Sequence, residues 1–215
     1  MSLPLNACLV YDVGIVGANT KIRKDLIREE ADAALVSWAQ TGELDAFEEL
    51  VRRYRNDVFR LAYHYLRNRE EAWDLSQEVF IKVYRSLGSF RGDSNFKTWV
   101  LRIAANQCKD FFKKRRLNTV PFDEGVGNDA PGALLGPGRA ALAREIGEGI
   151  QSALAKLPHK HRTAFILREF EGLSYEEMSH VMGCSLGTVM SRLHHARKKL
   201  QHSLIHMGIA EEPQS

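Results

Sequence analysis

The sequence predicts an all-α fold of two small helical domains, and three observations carry that prediction. Apolar residues recur at three- and four-residue steps through most of the chain. No useful length of it alternates with the period of two that a half-buried strand requires. A stretch rich in proline and glycine, 118–138, separates two blocks of helical periodicity. At 215 residues, 44% of them hydrophobic and 27% charged, the chain can fill two modest cores.

A short helix around Ala33–Gln40, stopped at Gly42, comes first. A long helix follows, with Phe47, Leu50, Val51, Tyr54, Val58, Leu61, Ala62 and Tyr65 on one stripe. Asp45 and Glu48 have the spacing of a capping box at its start, and Asn68 and Glu71 repeat the device. The next stripe is Ala72, Leu75, Val79, Val83 and Leu87, and Gly88 and Gly92 interrupt it. A third runs through Phe96, Trp99, Val100, Ile103 and Phe111. From 118 to 138, Pro121, Pro131 and Pro137 mix with five glycines, and Asp123, Glu124 and Asp129 are the only charges. This reads as a flexible acidic linker, placed just after the basic run Lys113 to Arg116. Periodicity resumes near Arg139 with Ile146, Ile150, Ala153, Leu154 and Leu157, which Pro158 ends. A short helix over His161–Glu169 then stops at Gly172. Residues 1–30 form an N-terminal extension and 208–215 a tail.

The formal net charge of +3 is too small to name a partner, so the distribution of charge matters more. Cys8, Cys108 and Cys184 lie far apart with no Cys-x-x-Cys pair. That excludes a zinc ribbon and a disulfide-stapled secreted scaffold, and suits a reducing cytoplasm. No run approaches the roughly 18 apolar residues of a membrane span, so no direct membrane insertion is expected. Leu3 to Ala18 contains Asp12 and follows no Lys or Arg, which makes a poor signal peptide.

Three segments carry chemistry. In Leu173–Leu200, Ser174 with Glu177 is a capping box, and Tyr175, Met178, Val181 and Met182 supply the inner face of a short helix. Gly183 frees the turn, and Ser185 caps a second helix with Leu186, Val189, Leu193, Ala196 and Leu200 facing inward. The pair matches a helix-turn-helix. Between Met178 and Ala210 there is no Asp or Glu, while Arg192, Arg197, Lys198, Lys199 and five histidines are present. One-sign charge on an exposed recognition helix suits the phosphates of DNA. In Phe90–Arg116, aromatic residues interleave with Arg91, Lys97, Arg102 and Lys109. Rings that stack on unpaired bases and cations that hold a backbone have this composition. The glycine-flanked loop offers a seat for a flipped base. Finally, Asp74, Gln77, Glu78 and Lys82 share a polar helix face over Asp74–Tyr84. Paired carboxylates there could serve acid–base chemistry. No nucleophile, metal cluster or phosphate loop accompanies them, so a protein-contact face is expected and an enzyme is not. Neither cofactor nor metal is expected; His159 and His161, and the adjacent His194 and His195, lack ligand spacing.

These residues together resemble a bacterial RNA polymerase sigma factor of the extracytoplasmic-function type in the sigma-70 family. The resemblance runs from about Ala33 to His206. It rests on Asp45-Ala46-Phe47-Glu48-Glu49-Leu50, Asp74-Leu75-Ser76-Gln77-Glu78-Val79-Phe80, and Phe90-Arg91-Gly92-Asp93-Ser94 with Trp99 and Arg102-Ile103-Ala104-Ala105-Asn106. In the second domain it rests on Leu157-Pro158, Gly172-Leu173-Ser174-Tyr175-Glu176-Glu177, and Gly187-Thr188-Val189 with Ser191-Arg192. It implies a region 2 at 31–117 and a region 4 at 139–207. Asp74, Gln77, Glu78 and Phe80 would then bind the clamp helices of the polymerase's largest subunit. Phe90, Arg91, Asp93, Ser94, Asn95, Phe96, Lys97, Trp99, Arg102, Asn106 and Lys109 would melt and hold the −10 element. Ser185, Gly187, Thr188, Met190, Ser191, Arg192, His194, His195, Lys198 and Lys199 would meet the −35 element. Further implied partners are the flap of the second-largest subunit and an anti-sigma factor, which would hold this cytoplasmic protein near the inner membrane. Similar proteins often carry Arg where Met190 stands, and an aromatic residue and Arg at His194 and His195, so base readout here has fewer guanidinium forks. The alternative is a helix-turn-helix regulator that acts without replacing the sigma subunit.

Overall fold

The computed structural model describes residues 27–118 and 137–209. The N-terminal extension as far as residue 26, most of the expected linker and the last six residues lie outside these. Every regular element among the described residues is helical. By contact density the chain divides into residues 1–51 and 52–215.

In the first unit, α1 (Asp32–Gln40) buries Leu35, Val36 and Ala39. It ends before Gly42, whose φ of +100° is open to glycine at little cost. Helix α2 (Leu44–Leu66) starts one residue ahead of the expected capping box. The Phe47 amide donates to the Glu43 carbonyl at 3.3 Å, so Glu43 takes the cap position. Asp45 instead sits inside the first turn, where its carboxylate suits the positive helix end.

In the second unit, the rest of α2 buries Val58, Leu61, Ala62 and Tyr65. Helix α3 (Arg69–Ser86) begins as expected at Asn68, whose side chain accepts from the Glu71 amide at 3.0 Å. Its whole predicted stripe is buried. A 3₁₀ turn (Leu87–Ser89) and a loop lead into α4 (Phe96–Asn118). That helix buries more than the single predicted stripe: Leu101, Ala104, Ala105 and Cys108 are inside, while Ile103 and Phe111 are half-buried. The reason is that α4 packs against α3 on one side and α7 (Tyr175–Met182) on another.

Helix α5 (Pro137–Ala155) and α8 (Leu186–His206) share a core of Ala153, Leu154, Leu157, Ala196 and Leu200. Between them, α6 (His159–Phe165) starts directly after Pro158 and widens into a π-helical turn (Ile166–Phe170). That turn ends with the Glu171 amide donating to the Ile166 carbonyl at 3.2 Å, and Gly172 at φ +67° closes it. A continuous α-helix over His161–Glu169 was expected. The extra residue in the π turn re-aims Phe170 and Glu171, as such bulges do.

Residues 52–118 and 137–209 share an interface, so the contact division does not fall at the linker. The Tyr65 hydroxyl donates to Thr163 Oγ1. The His64 ring stacks on Phe170 with centroids 3.8 Å apart, and its Nδ1 lies 3.3 Å from Gln151 Nε2. Arg60 Nη2 donates to Glu171 Oε2 at 3.0 Å. Burial drives His64 down to about 4, helped by the Arg60 charge, and drives His159 beside Tyr65 to about 4 as well. Burial raises Glu171 above the usual carboxylate range, and Arg60 opposes that rise.

Candidate nucleic-acid and protein interfaces

The outer face of α3 is the first candidate surface. The buried stripe of α3 turns the opposite side outward, and Asp74 and Gln77 stand exposed there. Glu78 is also exposed but lies toward α4, where Gln107 Nε2 donates to it at 3.5 Å; Lys82 donates to the same amide's oxygen. Phe80 is half-buried on the other flank. Sequence reasoning missed the apolar part of this face. Trp73 is 56% exposed, and Ile81 and Tyr84 are about as open. The Trp73 ring meets Phe59 of α2 edge-on at 6.2 Å. Large apolar side chains held open beside carboxylate and amide groups suit a protein partner. Their places, eight and three residues apart, were visible in the sequence as apolar residues out of the core stripe.

The second surface is a cleft of about 400 Å³ at the turn before α4. Phe90, Arg91, Asp93, Ser94, Trp99 and Arg102 all line it. Asn95 caps α4, accepting from the Thr98 amide at 2.7 Å. Phe96 does not line the cleft: it is 3% exposed, and its ring backs Trp99 and Phe90 at 5.7 and 5.8 Å. A ring that holds two others in place has no free face for stacking, so Phe96 stands behind the cleft and is not a base contact. Lys97 is drawn to Asp57, 3.7 Å away. Asn106 and Lys109 are exposed on the Arg102 side of α4, beyond the cleft. Thr98 was missed. Its hydroxyl is buried in the cleft wall without a protein partner, a cost that a polar ligand would remove.

Helix α7 (Tyr175–Met182) packs across this cleft. Its His180 completes the lining, and Asn95 Nδ2 donates to Glu177 Oε1 at 2.8 Å. Glu177 also closes the predicted capping box: Ser174 N donates to its Oε2 at 2.8 Å, and its own amide donates to Ser174 Oγ at 3.2 Å. The backbone bond from Ser174 is the main reason its carboxyl titrates below the usual range.

The third surface is α8. Gly183 at φ +58° makes the turn, and Ser185 Oγ accepts from the Thr188 amide at 3.4 Å. The hydroxyls of Ser185 and Thr188 also bond each other at 2.9 Å. Gly187, Met190, Ser191, His194, His195, Lys198 and Lys199 are all exposed, and Val189, Leu193, Ala196 and Leu200 are buried. Leu186, expected inside, is 40% exposed because it stands at the first helical position. Arg192 leaves the predicted outward face: it is half-buried and donates to Cys184 Sγ at 3.3 Å. Arg197 is held by Glu169 at 2.6 Å. The α8 face is thus basic through lysine and histidine. Among the described residues no helix is long and apolar enough to cross a membrane.

Comparison with known proteins gives these surfaces a common context. Residues 50–117 match Sigma-70 region 2, and residues 148–200 match Sigma-70, region 4. The chain is 40% identical over 188 residues to the RNA polymerase sigma-H factor of Pseudomonas aeruginosa, covering 83% of this chain and 96% of that one. This chain belongs to the extracytoplasmic-function sigma factors of the sigma-70 family. This sigma factor is also 38% identical over 181 residues to the ECF RNA polymerase sigma-E factor of Haemophilus influenzae, covering 80% of this chain and 95% of the other. Among solved structures, CnrH in complex with the cytosolic domain of CnrY superposes with a TM-score of 0.62 at 26% identity, over 82% of this chain and 99% of that one. The sigma factor RpoE in complex with the anti-sigma factor NepR, from Bartonella quintana, gives 0.61 at 27% identity, over 74% and 96%. The alternative of a regulator that leaves the sigma subunit in place is not favoured, since it gives residues 50–117 no role.

Proposed function

We propose that this sigma factor binds core RNA polymerase through α3, holds the −10 element at the α4 cleft and meets the −35 element with α8. Residues 31–117 then form the region 2 domain, and 139–207 the region 4 domain. The observation that carries this is the presence, on one chain, of an exposed apolar and polar face on α3, a cleft at the start of α4 and an exposed face of lysine and histidine on α8, each in a segment that matches the corresponding sigma region. The polymerase supplies the catalysis. This chain's residues bind and orient.

On α3, Asp74 and Gln77 offer polar contacts around an apolar centre of Trp73 and Ile81, against the clamp helices of the largest subunit. In the cleft, Trp99 and Phe90 give a flipped base an apolar wall, Thr98 and Ser94 give its polar edge hydroxyl partners, and Arg91 and Arg102 neutralise the strand. Region 4 adds contacts to the flap of the second-largest subunit. A strand can enter the cleft fully only when α7 moves off α4. That move couples polymerase engagement to −10 capture. An anti-sigma partner is supported by the NepR complex of the similar Bartonella factor.

The test is association with core. Wild-type protein should co-elute with purified core polymerase. Trp73→Ala with Ile81→Ala, or Asp74→Ala with Gln77→Ala, should weaken that association at least tenfold while duplex binding by α8 stays unchanged. Both side-chain pairs are exposed, so the fold should hold. Equal loss of both activities would contradict the assignment of α3.

A further inference from the structure

The recognition stripe of α8 does not end at Lys198. Ser191, His195, Lys198 and His202 follow one another at helical spacing on its outward side. Beside the second half of this stripe lies a cleft of about 410 Å³ between α8 and the end of α5. Ala153 and Leu157 form its floor. Lys156, in the turn just after α5, faces His195, Lys198, Lys199 and His202 of α8 across it. No Asp or Glu is among its lining residues. Of the cations of α8, Arg197 is paired with Glu169 and Arg192 is half-buried against Cys184, while the exposed Lys198 and Lys199 line this cleft.

We propose that this cleft seats the sugar–phosphate backbone of promoter duplex beside the −35 groove, with Lys156 and His202 as contacts. The proposal rests on the reading of α8 as the −35 helix and extends it to the turn that follows α5. Its argument is dimensional. At a rise of about 1.5 Å per residue, His202 stands roughly 16 Å along α8 from Ser191. The major groove is only about 12 Å wide, so a helix whose first half reads bases carries its second half past the groove wall, onto phosphates. Its chemistry also fits. A backbone strand alternates apolar deoxyribose with charged phosphate, and the cleft sets an apolar floor within a cationic rim. Contacts of this kind position a protein without reading sequence, which suits a helix whose base-facing residues are Met190, His194 and His195.

The experiment measures binding of the full chain to a labelled 30-base-pair duplex of mixed sequence, by anisotropy, between 50 and 200 mM salt. Lys156→Ala with His202→Ala should weaken binding about three- to tenfold and lower the salt slope by about one to two, at roughly 0.9 per phosphate. Arg197→Ala should leave the slope unchanged, and Lys198→Ala should lower it. If Lys198→Ala acts and the double variant does not, the cleft proposal is overturned and the −35 reading stands. If wild type shows no salt-dependent duplex binding, both fall. A double variant that keeps its slope but loses affinity for core polymerase would make the cleft a protein seat and overturn the proposal.

Discussion

Replacing Arg60 with alanine should open the protein. The Glu171 side chain has no exposed surface, and Arg60 donates to one of its oxygens at 3.0 Å, while the other has no hydrogen-bond partner among the described residues. Without Arg60 the carboxylate is left buried with neither oxygen bonded in the packed state, and recovers water when the regions part. A hydrogen bond to a charged group contributes about 1.5–3 kcal/mol. Arg60 is itself 47% exposed, so screening favours the lower part of that range, about 1.5–2 kcal/mol. At 1.4 kcal/mol per factor of ten, that shifts the packed-to-open ratio by about 10- to 30-fold. Small-angle scattering should show an expanded chain. A labelled 12-nucleotide single strand should bind more tightly, by up to the same factor, because affinity scales with the open fraction. Adding Glu171→Gln should restore packing, since an amide needs no counter-charge. A compact Arg60→Ala chain with wild-type affinity for single strands would refute the role given to this pair.

Ser174→Ala removes one half of a complete capping box and should lower stability by about 1 kcal/mol, read as a drop in denaturation midpoint. Acid should loosen the fold as two buried histidines are forced to take up charge. His64 and His159 are both pushed from 6.5 down to about 4, so the unfolded chain binds more protons than the native one between those values. Stability then falls as pH drops from 6.5 toward 4 and is complete above 6.5. Urea melts at pH 7 and pH 5 should show the decline, and His64→Gln with His159→Gln should flatten it; an unchanged pH slope in that variant would remove the two histidines from the account.

The elements of this chain were legible because their signals are local. Asn68, Ser174, Ser185 and Gly183 each announce a helix end through a bond or a dihedral within three residues. The core stripes of α3 and α8 follow directly from period 3.6. What depends on packing between distant segments was not legible. The second buried face of α4 exists because α7 lies on it. The inward turn of Arg192 depends on where Cys184 sits, and the capture of Arg197 on Glu169, 28 residues earlier. Phe96 looked like one of several aromatic contacts, and only the ring geometry around Trp99 makes it a support. In the other direction, Trp73 and Ile81 stand out of the α3 stripe in the sequence itself. They were passed over because the charged residues between them drew the reading.

The central claim is tested most directly by transcription with purified components. Core polymerase, this protein and a library of genomic fragments should yield discrete start sites that are absent without the protein. They should be lost when α3 carries Trp73→Ala with Ile81→Ala. Start sites that do not depend on this protein, or duplex binding with no gain in initiation, would contradict the account.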